Sequence, residues 1–153
     1  MIIAIDPGKS GGIAFESETG KVLSFSMPET DGDVVSLFDD IPEAYCLPQE
    51  QITVVIEKVG GFAGTGQPGS AMFKFGENCG FIRGVVMSHR WRVEMVTPQA
   101  WMKALSLGTK SGMSKTDWKN KLKGEAQRLF PDQKVTLKTS DALLILEYAR
   151  RKL

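Results

Sequence analysis

The sequence predicts an α/β domain whose mixed five-stranded sheet combines a three-stranded antiparallel meander with two further parallel strands, flanked by helices. Three observations lead there. The first 27 residues hold three short apolar runs parted by Pro7-Gly8, Gly11-Gly12 and Glu18-Thr19-Gly20, which is hairpin spacing. Residues 52–56 (ITVVI) are β-branched throughout, the composition of a buried strand. Helical stripes then separate and follow the later strands, as crossover connections require.

Taken in order, residues 2–5 read as a first strand, 13–15 as a second and 22–27 as a third. Val34, Leu37, Phe38 and Ile41 make a helical stripe over 33–41. The strand at 52–56 delivers Glu57 at its end, and residues 60–69 form a loop with five glycines and one proline. Residues 70–88 read as a helix and 93–96 as the last strand. Thr97-Pro98 is a cap with proline at the first helical position. Ser114-Lys115-Thr116-Asp117 resembles a capping box, and Pro131 ends the helix that it opens. Thr139 or Ser140 caps a final helix from 141 to about 152. All 153 residues read as one domain, enough to bury a single core.

Hydrophobic residues make up 42% and charged residues 24%, ordinary values for a globular protein. No apolar run approaches the ~20 residues of a membrane span, and residues 1–5 are too short for a signal-peptide core. An intracellular protein without membrane contact is expected. Cys46 and Cys79 lack metal-site spacing and are expected to be reduced thiols. The net charge of +1 hides an asymmetry. Residues 1–50 carry ten acidic residues against Lys9 and Lys21, net −8, whereas residues 101–153 carry twelve basic against five acidic, net +7. A basic pole of that size can neutralise phosphates or simply be a solvated helix surface. Trp101 and Trp118 within it favour nucleic acid.

Three carboxylates stand at element ends: Asp6 closes the first strand, Glu57 closes the fourth, and Asp141 opens the last helix. Such positions can converge on one rim of an α/β sheet, where ligands bind. Oxygen-only donors suit Mg²⁺ or Mn²⁺. Two such ions per site, ~4 Å apart, would stabilise both the attacking and the leaving oxygen of a phosphodiester. A turn role for Asp6 and a helix-dipole role for Asp141 are the alternatives.

The segments IAIDPGKSGGIAF, VVIEKVGGF, SAMFKFGENCGFIRGVV and TSDALLILEYA, in this order and covering nearly the whole chain, resemble the RuvC-type Holliday junction resolvases of the ribonuclease H-like superfamily. The long glycine stretch is most similar to phage and organelle members. The resemblance implies a ribonuclease H-like fold, with Asp6, Glu57 and Asp141 as catalytic metal ligands. One position departs from the pattern. Where the family carries an acid or histidine three or four residues before the last acid, this chain has Lys138 and Leu137. A charged lysine cannot ligate a metal, but its ammonium can replace one ion's charge beside the phosphate, and Lys138 joins the catalytic candidates on that ground. Contribution from Glu147, or weak activity, are the other readings.

The resemblance, for Phe62, Lys103, Lys110 and Lys115, and side-chain chemistry, for Gln67 and Lys74, mark candidate DNA contacts. Phe62, in the glycine loop, is a candidate for stacking on or wedging between bases, and Gln67 for reading a base edge. Lys74, Lys103, Lys110 and Lys115 are candidate phosphate contacts. Gly76, Gly80 and Gly84 recur every fourth residue. Each glycine costs a helix roughly 1 kcal/mol, so close packing is expected, against the sheet or against a partner helix. His89 reads as a surface residue. The implied function is a homodimer that nicks four-way DNA junctions symmetrically and hydrolytically with Mg²⁺ or Mn²⁺. The alternatives are a YqgF-like RNA nuclease and a junction-binding protein impaired in cleavage.

Overall fold

The computed structural model describes residues 1–17, 19–45, 52–60 and 68–153. Strands β1 (Ile2–Asp6), β2 (Gly12–Glu16) and β3 (Val22–Ser26) are followed by α1 (Asp31–Tyr45), β4 (Thr53–Glu57) and α2 (Gly69–Ser88). Strand β5 (Arg92–Val96) precedes α3 (Pro98–Ala104), α4 (Lys115–Leu129) and α5 (Ser140–Lys152). The sheet order is β3-β2-β1-β4-β5. Pairing is antiparallel for β1–β2 and β2–β3, and parallel for β1–β4 and β4–β5. This is the mixed sheet that the hairpin and crossover signals predict.

Alternation along the strands divides the core between two faces. Ile3, Ile5, Ile13, Phe15, Val54 and Ile56 bury one face under α1 and α2. Ala4, Ala14 and Val55 meet α3, α4 and α5 on the other. Small alanines at the centre of that second face let α5 lie close, which explains why residues 140–146 of α5 are all buried.

Local chemistry sets the helix starts. Thr30 accepts from Asp33 N at 3.1 Å, so α1 begins two residues before the predicted stripe. Ser114 accepts from Asp117 N at 3.1 Å and donates to Asp117 Oδ2 at 2.7 Å, as the capping pattern predicts. Thr97 accepts from Ala100 N. At the start of α5, Thr139 occupies the cap position, as the sequence predicts. Its side chain makes no capping hydrogen bond there, because its hydroxyl already accepts from Thr136 N at 3.0 Å.

Two expectations are corrected. His89 is no plain surface residue: its ring stacks on Trp91 at 4.4 Å and its Nε2 lies 3.5 Å from Asp39 Oδ1, so it ties α1 to the end of α2. Gly76, Gly80 and Gly84 do not pack on the sheet. A Cβ added at any of them meets no atom within 4 Å, so the glycine face of α2 opens outward.

Candidate active site

Strand β1 ends at Asp6 and its parallel neighbour β4 ends at Glu57, so both carboxylates emerge from the same edge of the sheet. Asp141 arrives from the first turn of α5, which packs on β1 and β2. Two glycines make this meeting possible. A Cβ on Gly11 would lie 2.1 Å from the carbonyl oxygen of Asp6, and one on Gly12 would lie 2.5 Å from the carbonyl oxygen of Lys138. Backbone therefore lies directly against backbone, both where the chain turns after β1 and where it enters α5.

The three acids interact. Asp6 and Glu57 are hydrogen-bonded, and each feels the charge of Asp141. Burial, then the charges of Asp141 and Glu57, hold the Asp6 carboxyl well above the usual carboxylate range. Burial also raises Glu57, while the bond from Trp101, the charge of Lys119 and the bond with Asp6 pull it back. Burial and mutual repulsion thus push both carboxyls upward, Asp6 the more strongly.

Two residues that the sequence reading did not assign to the site complete it. Trp101, fully buried on α3, donates its indole N–H to Glu57 Oε1 at 2.9 Å. Lys119, on α4, donates to Asp141 Oδ2 at 2.6 Å. Burial disfavours the Lys119 ammonium, but the carboxylates of Asp141, Asp6 and Glu57 outweigh it and raise its pKa. The signal for Lys119 was present. Ser114 starts α4 so that Trp118, Leu122 and Ala126 point inward, and residue 119 flanks that stripe.

Among the described residues Lys119 alone is paired with one of the three carboxylates, which leaves the cluster short of positive charge. Among the described residues no three His, Cys, Asp or Glu side chains are already gathered as a metal cage. Lys119 stands at Asp141 and Trp101 holds Glu57, each occupying an oxygen that a cation would use. The donor set nonetheless fits a hard divalent ion: it is all oxygen, and its carboxylates repel one another. A cleft of about 330 Å³ opens beside Glu57, lined by Pro7, Cys79, Arg83 and Met95 among others. Cys79 is a free, buried thiol that burial pushes up.

The remaining candidates sit further out. Lys138 is exposed, and among the described residues its ammonium has no acidic partner. Lys74 is exposed on α2, Lys103 on α3, Lys110 in the following loop and Lys115 at the first position of α4. None of these four pairs with the three acids. Phe62 and Gln67 lie outside the described residues, as does Cys46. No described helix is long and apolar enough to cross a membrane.

The mixed β3-β2-β1-β4-β5 sheet with α5 packed on β1 and β2 is a ribonuclease H-like fold, similar to that of RuvC. Thermus thermophilus RuvC matches it with a TM-score of 0.58 at 16% identity, over 99% of this chain and 95% of that one. The same protein in complex with a Holliday junction substrate matches with a TM-score of 0.58 at 15% identity, again over 99% and 95%. The yeast mitochondrial Holliday junction resolvase Ydc2 matches with a TM-score of 0.48 at 14% identity, over 98% of this chain and 77% of that one. No protein-family model and no curated protein sequence matches the chain.

Proposed function

We propose that this protein is a divalent-metal-dependent endonuclease that resolves four-way DNA junctions by paired, symmetric hydrolysis of phosphodiesters. The observation that carries the reading is the acid cluster on a RuvC-type sheet: Asp6, Glu57 and Asp141 brought to one rim, with Lys119 alone paired to it among the described residues. Thermus thermophilus RuvC, which shares the fold, has been captured with a Holliday junction, and that supports branched DNA as the substrate.

Asp6, Glu57 and Asp141 would hold Mg²⁺ or Mn²⁺, two ions per site. Such ions supply charge neutralisation at the phosphate and an activated water. The chain's own groups do the rest. Trp101 fixes the Glu57 carboxylate by one hydrogen bond, leaving its second oxygen for a ligand. Lys119, which neutralises Asp141 in the free protein, has three donors and a flexible stem. With a cation held at Asp141, the ammonium would be free to donate to a phosphate oxygen instead. Lys138 supplies a further positive charge at the place where the family pattern carries an acid or histidine. Water attacks the phosphate and the bridging oxygen leaves, giving a 5′-phosphate and a 3′-hydroxyl.

Lys74, Lys103, Lys110 and Lys115 contribute phosphate contacts, Phe62 a stacking surface at the branch point, and Gln67 a base-edge contact. The open glycine face of α2, with Phe73 and Met87 exposed on the same helix, is the proposed homodimer surface. A two-fold dimer pairs two sites with the two-fold symmetry of the junction. The exposed Lys138 also motivates a second reading, a junction binder impaired in cleavage.

The test is a synthetic four-way junction incubated with the protein and Mg²⁺ or Mn²⁺. Paired nicks in two opposing strands are expected, with linear duplex left intact. Tight binding without nicks selects the second reading, and no preference for the junction over duplex defeats both.

A further inference from the structure

Helices α3 and α4 and the loop joining them enclose a groove of about 750 Å³, larger than the cleft beside Glu57. That is within the ~300–1,000 Å³ of small-ligand sites. Its walls include Pro98, Met102 and Trp118, and Gln99, Lys103 and Lys110 also line it. The loop between them is held in one shape: Ser106 and Gly108 both have positive φ, 56° and 79°, and Lys121 donates to the carbonyl oxygen of Leu107 at 2.7 Å. Lys121 also lies 5.3 Å from the centroid of the Trp118 ring, which orders that wall.

The groove is joined to the acid cluster by the same two helices. Trp101, which holds Glu57, directly precedes Met102, and Lys119, which holds Asp141, directly follows Trp118. Its chemistry is mixed: an apolar, aromatic floor, one amide, and two exposed ammonium groups unpaired among the described residues. A purely apolar occupant leaves those charges unanswered, and an isolated phosphate leaves the floor uncovered. A nucleotide answers both.

The geometry points to a base subsite: the α3–α4 groove takes an unstacked nucleobase of the strand being cut, its ring on Met102 and Trp118, its edge at Gln99 and its phosphates at Lys103 and Lys110. This rests on the reading of the protein as a DNA nuclease and adds to it a determinant of sequence preference beside the cut.

The experiment uses the full chain with ¹³C-methyl methionine and four single-stranded, 5′-phosphorylated trinucleotides, one per base. A saturable shift of the Met102 methyl signal is expected, with the four bases bound unequally. Gln99→Ala, at an exposed position that folding does not depend on, weakens the preferred trinucleotide at least about fivefold and narrows the differences between bases. Lys103→Glu with Lys110→Glu weakens all four alike. On junctions varied at the base next to the cut, Gln99→Ala flattens the wild-type preference. An unmoved Met102 signal at about 10 mM trinucleotide overturns the assignment, as does equal affinity in wild type and Gln99→Ala. It is also overturned if an acidic peptide bearing one phenylalanine shifts Met102 while the trinucleotides do not, which makes the groove a protein-docking site. If the wild type cuts no junction yet binds trinucleotides in a Gln99-dependent way, the base subsite stands and the junction reading falls.

Discussion

The indole N–H of Trp101 reaches Glu57 Oε1 across 2.9 Å, joining residues 44 positions apart in the chain. It places the only described hydrogen bond from a fully buried tryptophan on the carboxylate that ends β4. A neutral donor there favours the ionised form of Glu57 against the burial that raises its pKa.

Trp101→Phe therefore removes a bond that lowers the Glu57 pKa, so that pKa rises further. The acidic limb of the cleavage–pH profile is expected to move to higher pH. The lost bond and reduced volume together cost about 1–3 kcal/mol of stability. Rates measured across pH, alongside thermal melting, check both. An unmoved acidic limb would mean that Trp101 acts only in packing.

Asp6→Asn is expected to abolish junction cleavage and leave junction binding intact, because binding comes from basic residues and falls with salt. The same change has a second, opposite signature. A carboxyl whose folded pKa is raised is most favourable when protonated. Its contribution is fully present below about pH 4 and is lost as pH rises toward the folded value. Metal-free wild type thus carries an electrostatic cost at pH 7.5 that Asp6→Asn relieves. Its melting temperature without metal should rise, about 2–4 °C for each kcal/mol relieved. A fall instead would remove carboxylate repulsion as a property of this site.

Lys119→Ala takes away the one ammonium paired with the three acids among the described residues. The metal-free variant should melt below wild type at pH 7.5. Mg²⁺ should then raise the melting temperature of the variant more than that of wild type, since the cation takes over a role that the lysine no longer fills. Equal Mg²⁺ shifts in the two proteins would show that ion and lysine do not share a place.

Gly80 has open space where a Cβ would stand. Gly80→Ala should stabilise α2 by up to ~1 kcal/mol if that face is free. Gly80→Gln should turn a dimer into a species near the chain mass of 16.8 kDa without loss of folding, read by sedimentation at micromolar concentration. A wild type that sediments as a monomer, with or without junction DNA, defeats the dimer surface.

Much of the fold was legible because short range and long range agree in it. The runs at 2–5, 13–15 and 52–56 are apolar strands wherever they are placed, and Thr97-Pro98 and Ser114–Asp117 start helices by local bonds alone. What stayed illegible depends on distant partners. Nothing around Thr139 in sequence says that Thr136 will claim its hydroxyl. The spacing of Gly76, Gly80 and Gly84 shows a shared helical face but not which way it points. Trp101 and Lys119 reach the acid cluster only because α3 and α4 are folded over the sheet, a fact with no local signature.

The carbonyl of Lys138 rests against Gly12 with no room for even one carbon between them. That contact is made by main chain, so it is blind to which side chain residue 138 carries. Placement of the last helix and chemistry at its approach are thereby uncoupled. The side chain at position 138 is free to vary without disturbing the main chain that leads to Asp141. The fold thus offers an interchangeable socket one turn ahead of its last acid, and this chain has fitted it with a cation.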